Sequence, residues 1–318
     1  MRQNRTEQKT VKVRISRSQR KLFWKGILFA LPWLIGFLLF TLLPICLAFY
    51  YSFTDYDLFN EPIWVGMKNY QEMLGDQYVW KSLSNTLYMV ILAPLAGLVV
   101  SLALAMLLNQ KKVFGLPFFR TVFYLPSLVP VVASVMLFSW VLNGHYGLLN
   151  QILAMVGIEG PSWLADAKYA KLSLIIMDAW RCGGTMIIYL AALRSVPVSL
   201  YEAAEMDGAT GWKKFFHITI PYISPTIEFN LIMSMITSFQ YFTQGMIFTS
   251  IIGGVGSAAG GGPSNSLLFY CLYLYRNAFS FYKMGYACAM AVVLFVIIMI
   301  ATALALKLSN RVVNYDVE

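Results

Sequence analysis

Ser84-Asn-Thr-Leu-Tyr-Met-Val-Ile-Leu-Ala-Pro-Leu-Ala-Gly-Leu-Val-Val-Ser-Leu-Ala-Leu-Ala-Met-Leu-Leu108 is a run of 25 residues without one charge. It exceeds the ~20 residues an α-helix needs to cross a bilayer. Hydrocarbon offers no partner to a backbone N–H or C=O, so such a run must satisfy its own hydrogen bonds as a helix. Stretches of the same character place spans at 26–53, 84–108, 121–142, 172–193, 226–248 and 284–306. The composition agrees: the chain is 58% hydrophobic and only 12% charged, whereas soluble domains carry roughly 25% charged residues. The fold class that follows is an all-α integral membrane protein of about six transmembrane helices.

Charge sorts across these spans. Nine Lys and Arg crowd residues 1–25, opposed only by Glu7. With the N-terminus inside, 17 basic residues lie on the cytoplasmic side and six outside, with Arg181 inside a span. This is the positive-inside bias, so both termini are expected in the cytoplasm of a multi-pass protein of the bacterial plasma (inner) membrane. The basic tail suits anionic headgroups; no basic face interleaved with aromatics points to nucleic acid. The apolar run at 26–53 is too long for a cleaved leader and lacks a small-residue cleavage site; it reads as a first span kinked at Pro32 and Pro44. Cys46, Cys182, Cys271 and Cys288 have no C-x-x-C spacing and read as small core residues. Ala93, Gly97, Ser101 and Ala105 repeat every four residues and mark a close helix contact.

The inner loop at 199–221 reads Ser199-Leu-Tyr-Glu202-Ala203-Ala204-Glu-Met-Asp207-Gly208-Ala-Thr-Gly-Trp-Lys-Lys-Phe-Phe-His-Ile218-Thr-Ile220-Pro221. Ser199 and Glu202 are spaced as a capping box that opens a short helix. Gly208 permits a positive-φ break, and Thr210 starts a second short helix ending before Pro221. A helix–glycine–helix elbow on the cytoplasmic side is a rigid protrusion suited to insertion into a partner.

This loop resembles the EAA loop of permease subunits in binding-protein-dependent ABC importers. Glu202, Ala203, Ala204, Gly208, Ile218 and Pro221 match that pattern at full spacing, with Ile220 in place of its usual Leu. Val65-Gly66-Met67-Lys68-Asn69-Tyr70 with Met73-Leu74 is similar to the outer loop of sugar-type permeases. So are Asn85-Thr86, Phe119-Arg120, Leu125-Pro126, Trp180 and Tyr189-Leu190-Ala191-Ala192-Leu193. The early outer loop resembles the larger, maltose-permease-like type. One departure stands out: the family's T-x-G-G-P is stretched over residues 249–263 with extra glycines.

The resemblance implies a type I ABC importer permease fold. It divides the chain into a cytoplasmic tail at 1–25, a first transmembrane helix at 26–53, a five-helix transmembrane domain at 80–308 and a cytoplasmic tail at 309–318. It implies carbohydrate import by a complex with a second permease subunit, two ATPase subunits and an extracytoplasmic solute-binding protein. Glu202, Ala203, Ala204, Asp207, Gly208, Ile218 and Pro221 would form the contact with the ATPase, where Glu202 and Asp207 meet basic groups. The chain itself would bind no cofactor; ATP and Mg would sit on the partner ATPase subunits. No G-x-x-x-x-G-K-[ST] and no H-E-x-x-H occurs, so no enzyme is expected.

Polar residues inside the spans are the remaining candidates. Asn230, Ser234, Thr237, Tyr241 and Gln244 follow steps of four, three, four and three, covering a helix face roughly 80° wide. Asp178, Cys182, Thr185 and Tyr189 form a shorter stripe on the fourth span. Hydroxyls, amides and aromatic rings suit a sugar path; polar helix packing is the competing account. Asp178 and Arg181, three apart, can neutralise each other, as a structural pair or in the path. Glu228 reads as reaching the inner interface. A self-contained secondary transporter is the alternative class, but it would show inverted repeats; a membrane enzyme would gather carboxylates or metal ligands at one face.

The charge count generates a direct test of topology. Cysteines introduced at Thr6 and Asn314 should resist an impermeant thiol reagent in intact cells and react after permeabilisation. Reaction from outside at either position overturns the orientation.

Overall fold

A computed structural model of the protein describes residues 17–110, 114–251 and 260–309. The expected tails lie largely outside these residues. Three helices are long and apolar enough to cross a membrane: Trp24–Tyr51, Gln77–Leu108 and Met284–Ser309. Two more segments pass the same test as bent pairs. Ile220–Phe239 adds a 20-residue helix, about 30 Å long at 1.5 Å per residue, whose polar stripe sets it apart from these five. The chain up to Tyr50 forms one unit and the chain from Tyr51 onward another.

In the first unit, the helix from Arg17 widens into a π-turn at Leu38–Leu42 before continuing from Leu43. The turn stands directly ahead of Pro44. The same arrangement recurs at Phe215–Thr219, directly ahead of Pro221. Proline supplies no N–H and its ring crowds the carbonyl four residues back; a widened turn relieves both problems. The helix expected to end before Pro221 therefore runs through it to Phe239.

The second unit is organised round Gln77–Leu108, hereafter the second span, which packs on the fourth and fifth spans and on Tyr270–Phe279. Ala93, Ser101 and Ala105 of its small-residue series are buried, as the repeat predicts. Gly97 instead has open space where a Cβ would stand. The third span is Leu116–Leu128 with Val131–Val141, bent by 100°, and the fourth is Ala170–Trp180 with Gly183–Ser195, bent by 50°. Pro130 explains the first break: the residue ahead of a proline is pushed to extended backbone, and Val129 sits at φ −69°, ψ 128°. The fifth span is Ile220–Phe239; after a break a separate helix occupies Thr243–Ile251. Glu228, read as reaching the inner interface, is only 8% exposed, so it is buried against the rest of the protein. The sixth span is Met284–Ser309.

Between the fifth and sixth spans, where only a loop is expected, Tyr270–Phe279 forms a helix with Tyr270, Leu272, Tyr273 and Asn277 buried. Its entry is pinned by the second span. Asn85 Nδ2 donates to the carbonyls of Asn265 (2.7 Å) and Leu268 (3.0 Å), and the Thr86 hydroxyl accepts from the Tyr270 amide at 2.9 Å. Asn69 Nδ2 likewise donates to the carbonyls of Ser52 and Thr54, both at 2.9 Å. Thr54–Asp55 pairs antiparallel with Ile63–Trp64 in a two-strand hairpin. All four cysteines are free thiols, in keeping with their spacing. Of the glycine-rich stretch, residues 252–259 lie outside the described residues; the Gly260 carbonyl accepts from Arg276 Nη2 at 2.7 Å.

The bend of the fourth span depends on Gly183. A Cβ there would stand 2.2 Å from the Phe123 carbonyl oxygen and 2.7 Å from Tyr124 Cα, both backbone, while Gly184 has nothing within 4 Å. Gly183→Ala should therefore lower the melting temperature of the solubilised protein by the equivalent of about 1–3 kcal/mol. Gly184→Ala, facing open space, should leave it unchanged. Equal melting of the two variants would contradict the close approach of the third and fourth spans.

Candidate functional site

The two polar stripes meet. A cavity of about 310 Å³ is walled by the second, fourth and fifth spans and the break after the fifth. Asn230, Ser234, Thr237, Tyr241, Gln244, Asp178 and Tyr189 all line it. The fifth-span stripe stays on one wall although the helix ends at Phe239. Asn230 Nδ2 donates to the Thr226 carbonyl at 2.8 Å and Thr237 Oγ1 to that of Ser234 at 2.9 Å. These local bonds each use one polar atom of the stripe. Tyr241 is different. It is 6% exposed, its ring packs on Phe269 with centroids 5.4 Å apart, and its buried hydroxyl has no hydrogen-bond partner among the described residues.

The Asp178–Arg181 pair is not made directly among the described residues. Arg181 caps the end of Ala170–Trp180 and its Nη2 donates to the Val129 carbonyl at 3.0 Å, while Nε is buried without a partner. The Arg181 amide still bonds the Met177 carbonyl at 3.2 Å, so the helical turn is kept and the side chain itself reaches away to Val129. Arg181 thus ties the break in the fourth span to the break in the third, and it borders the cavity together with Asp178.

Residues absent from the sequence-derived stripes complete the walls: Ala93, Pro94, Gly97 and Leu98 of the second span, with Leu231 and Ser238. The small-residue repeat contained a signal for the first of these, since a glycine facing no neighbour leaves room. Two tyrosines mark the ends. Tyr189, 1% exposed, belongs to the apolar cluster with Ala105, Leu193 and Ile223; Tyr241 belongs to the cluster with Phe138, Phe248 and Phe269.

The second candidate is the elbow. Val198–Met206 forms the first limb. Its N-cap is Pro197 with no side-chain cap bond, so the capping box expected of Ser199 and Glu202 is absent: Ser199 already lies inside the helix. The C-terminal end is a Schellman motif. The Gly208 amide donates to the Glu205 carbonyl at 3.0 Å, that of Ala209 to Ala204 at 2.8 Å, and Gly208 takes φ +72°. The second limb starts at Gly211 after Thr210 and continues through the π-turn into the fifth span. Lys214 Nζ bonds Glu205 Oε1 at 2.7 Å, and the hydroxyls of Tyr201 and Thr219 meet at 2.9 Å, bracing limb against limb.

The elbow is exposed at Glu202, Ala203, Asp207 and Gly208, and half-buried at Ala204, Ile218 and Pro221. Met206 at 89% and Trp212 at 74% exposure present apolar surface beside the two carboxylates, with Phe216 stacked on Trp212. Exposed apolar side chains grouped in this way make the elbow a candidate docking face. Among the described residues no cluster of His, Cys, Asp and Glu could hold a metal.

Because no atom lies within 4 Å of a Cβ built on Gly208, substitutions there should rank by left-handed backbone tolerance alone. The left-handed conformation costs an ordinary L-residue roughly 1–2 kcal/mol, Asn least and β-branched residues most. Hydrogen exchange at the Ala209 amide should therefore quicken in the order Asn, Ala, Val. Unchanged protection in Gly208→Val would show that the elbow does not need the glycine.

Residues 97–314 match the family described as binding-protein-dependent transport system inner membrane component. The chain is 39% identical over 303 residues to a probable ABC transporter permease protein, YesP, of Bacillus subtilis, covering 95% of each. It is 30% identical over 295 residues to the probable starch degradation products transport system permease protein AmyD of Thermoanaerobacterium thermosulfurigenes, covering 92% of this chain and 97% of that one. It is 34% identical over 298 residues to the lactose transport system permease protein LacF of Rhizobium radiobacter, covering 91% and 95%. Among solved structures it superposes on a chain of a bacterial ABC transporter involved in import of the acidic polysaccharide alginate. That match has a TM-score of 0.77 at 24% identity, covering 94% of this chain and all of that one; it speaks for the fold.

Proposed function

The chain belongs to the family of binding-protein-dependent transport system inner membrane components, and from that premise we propose that it forms one half of an import pathway for a carbohydrate. The observation that carries this reading is the convergence of both polar stripes on a single cavity between spans. Buried hydroxyls, amides and aromatic surface are the groups that bind a sugar's hydroxyls and its apolar ring faces. At about 310 Å³ the cavity lies at the lower end of the range for ligand pockets, as suits a wall shared with a second permease. Relatives named for starch degradation products, arabinooligosaccharides and lactose support the same solute class.

The partners follow from the same premise: a second permease subunit, two ATPase subunits that bind ATP and Mg, and an extracytoplasmic solute-binding protein. Glu202, Ala203, Ala204, Asp207, Gly208, Ile218 and Pro221 form the elbow that meets the ATPase, its apolar patch entering a groove and its carboxylates facing basic groups. The elbow's second limb is continuous with the helix bearing Asn230, Ser234 and Thr237. A displacement imposed on the elbow by the ATPase is thus delivered along one rigid element to the cavity wall. Both termini face the cytoplasm in this arrangement.

The test compares relative transport of several sugars at equal amounts of assembled complex, with binding protein present. Tyr241→Phe removes a hydroxyl that has no partner among the described residues, so stability should hold while relative rates shift several-fold. The loss of one hydrogen bond, on the order of 1 kcal/mol, has that effect. Gln244→Ala should also change the sugar profile. If substitutions at Asn230, Thr237, Tyr241 and Gln244 scale every sugar's rate equally, the stripe serves helix packing and the pathway reading fails.

A further inference from the structure

Away from the cavity, the second span carries a second pattern at its opposite flank. Lys81, Tyr88, Leu92, Leu95 and Val99 are all exposed and follow helical spacing, so they share one face turned from the buried side. At the head of this face stands Lys171 of the fourth span. Its ammonium donates to Asn85 Oδ1 at 3.2 Å and lies 4.5 Å from the centre of the Tyr88 ring. Lys81, one turn before Asn85, is within electrostatic reach of it.

Lys171, seated on Asn85 and Tyr88, and Lys81, one turn before Asn85 on the same helix, put two positive charges at the head of one face, which leaves a place for an anion. Among the described residues neither ammonium is ion-paired. The carboxylates closest along the chain are engaged elsewhere: Asp76 accepts from the hydroxyls of Tyr273 and Tyr286, and Asp166 from the Lys168 amide. Below the lysines the face is wholly apolar. From Tyr88 to Val99 it descends about 16 Å at 1.5 Å per residue, close to half of the ~30 Å hydrocarbon core. Trp80, 53% exposed on the same helix, marks the headgroup level at which tryptophan collects.

We propose that this flank is a binding site for an anionic phospholipid of the outer leaflet, with Lys81 and Lys171 holding the phosphate and Tyr88, Leu92, Leu95 and Val99 receiving an acyl chain. The charge and the stripe define the ligand; the proposed orientation supplies only the leaflet. Asn85 joins this site to the fold, since the amide that orients Lys171 through its oxygen holds the Asn265 and Leu268 carbonyls through its nitrogen. Lipid bound here steadies the entry to Tyr270–Phe279.

The assembled importer, stripped of lipid in detergent, should be titrated with phosphatidylglycerol or phosphatidylcholine and its bound lipid counted by native mass spectrometry. Phosphatidylglycerol should bind more tightly, and Lys81→Gln should weaken it about fivefold, the equivalent of ~1 kcal/mol per basic residue near a membrane surface. The Lys81→Gln plus Lys171→Gln double variant should lose the preference altogether. Lys81 makes no bond within the fold among the described residues, so its single variant remains informative if the double variant fails to assemble. Equal phosphatidylglycerol binding by wild type and Lys81→Gln overturns the proposal. So does competition by inorganic phosphate at concentrations comparable with the lipid, which would make this a site for free anions. Shielding of Lys81 from an amine reagent in the lipid-free complex would place the partner permease there and likewise overturn it.

Discussion

Where a helix breaks inside a membrane, the freed carbonyls and amides have no water to turn to, and each must find a donor or acceptor from the protein itself. The bends of this chain rest on that constraint. The Val129 carbonyl, left open ahead of Pro130, is met by Arg181. The carbonyls of Asn265 and Leu268 are met by Asn85, and the Tyr270 amide by Thr86. Beyond the end of the first helix the same device recurs, with the carbonyls of Ser52 and Thr54 met by Asn69. A polar residue in a span is costly unless satisfied, and here most of that cost is offset by repairing breaks.

The breaks in turn make the cavity. A bundle of straight apolar helices closes on itself, leaving only gaps too small for a ligand. Bending the fourth span by 50° and ending the fifth-span helix at Phe239 moves their polar faces apart while Gly97 of the second span adds nothing to fill the space. Arg181 belongs to both descriptions, since it ties two breaks together and borders the cavity. Tyr241 lines the same volume, and among the described residues its buried hydroxyl is given no partner.

The elbow answers to different physics. It is exposed to solvent, so its shape depends on a left-handed glycine, a Schellman motif and two cross-limb contacts. An exposed ion pair such as Glu205–Lys214 contributes little by itself; its effect is to hold a geometry already set by the backbone. The π-turn ahead of Pro221 then carries the second limb into the fifth span without a break, which joins the exposed elbow to the cavity wall.

The long apolar helices and the turn of the elbow were legible in the sequence because each follows from local pattern: uninterrupted apolar length, and a glycine at fixed spacing. The stripes were legible for the same reason, since helical periodicity assigns a face whatever the face meets. Other features depended on neighbours. Ser199 is spaced for a capping box, yet Pro197 starts the helix earlier and leaves Ser199 inside it. Asp178 and Arg181 are spaced to pair, yet a carbonyl from another span takes the guanidinium. Glu228 reads as an interfacial residue and is buried. Tyr270–Phe279 is helical because Asn85 and Thr86, more than 180 residues earlier, receive its entry. Periodicity in one dimension fixes which residues share a face and how long an element runs. Which faces meet, where a helix bends and what fills the space between are decided by long-range contacts, because only the assembled bundle supplies the partners that make a break affordable.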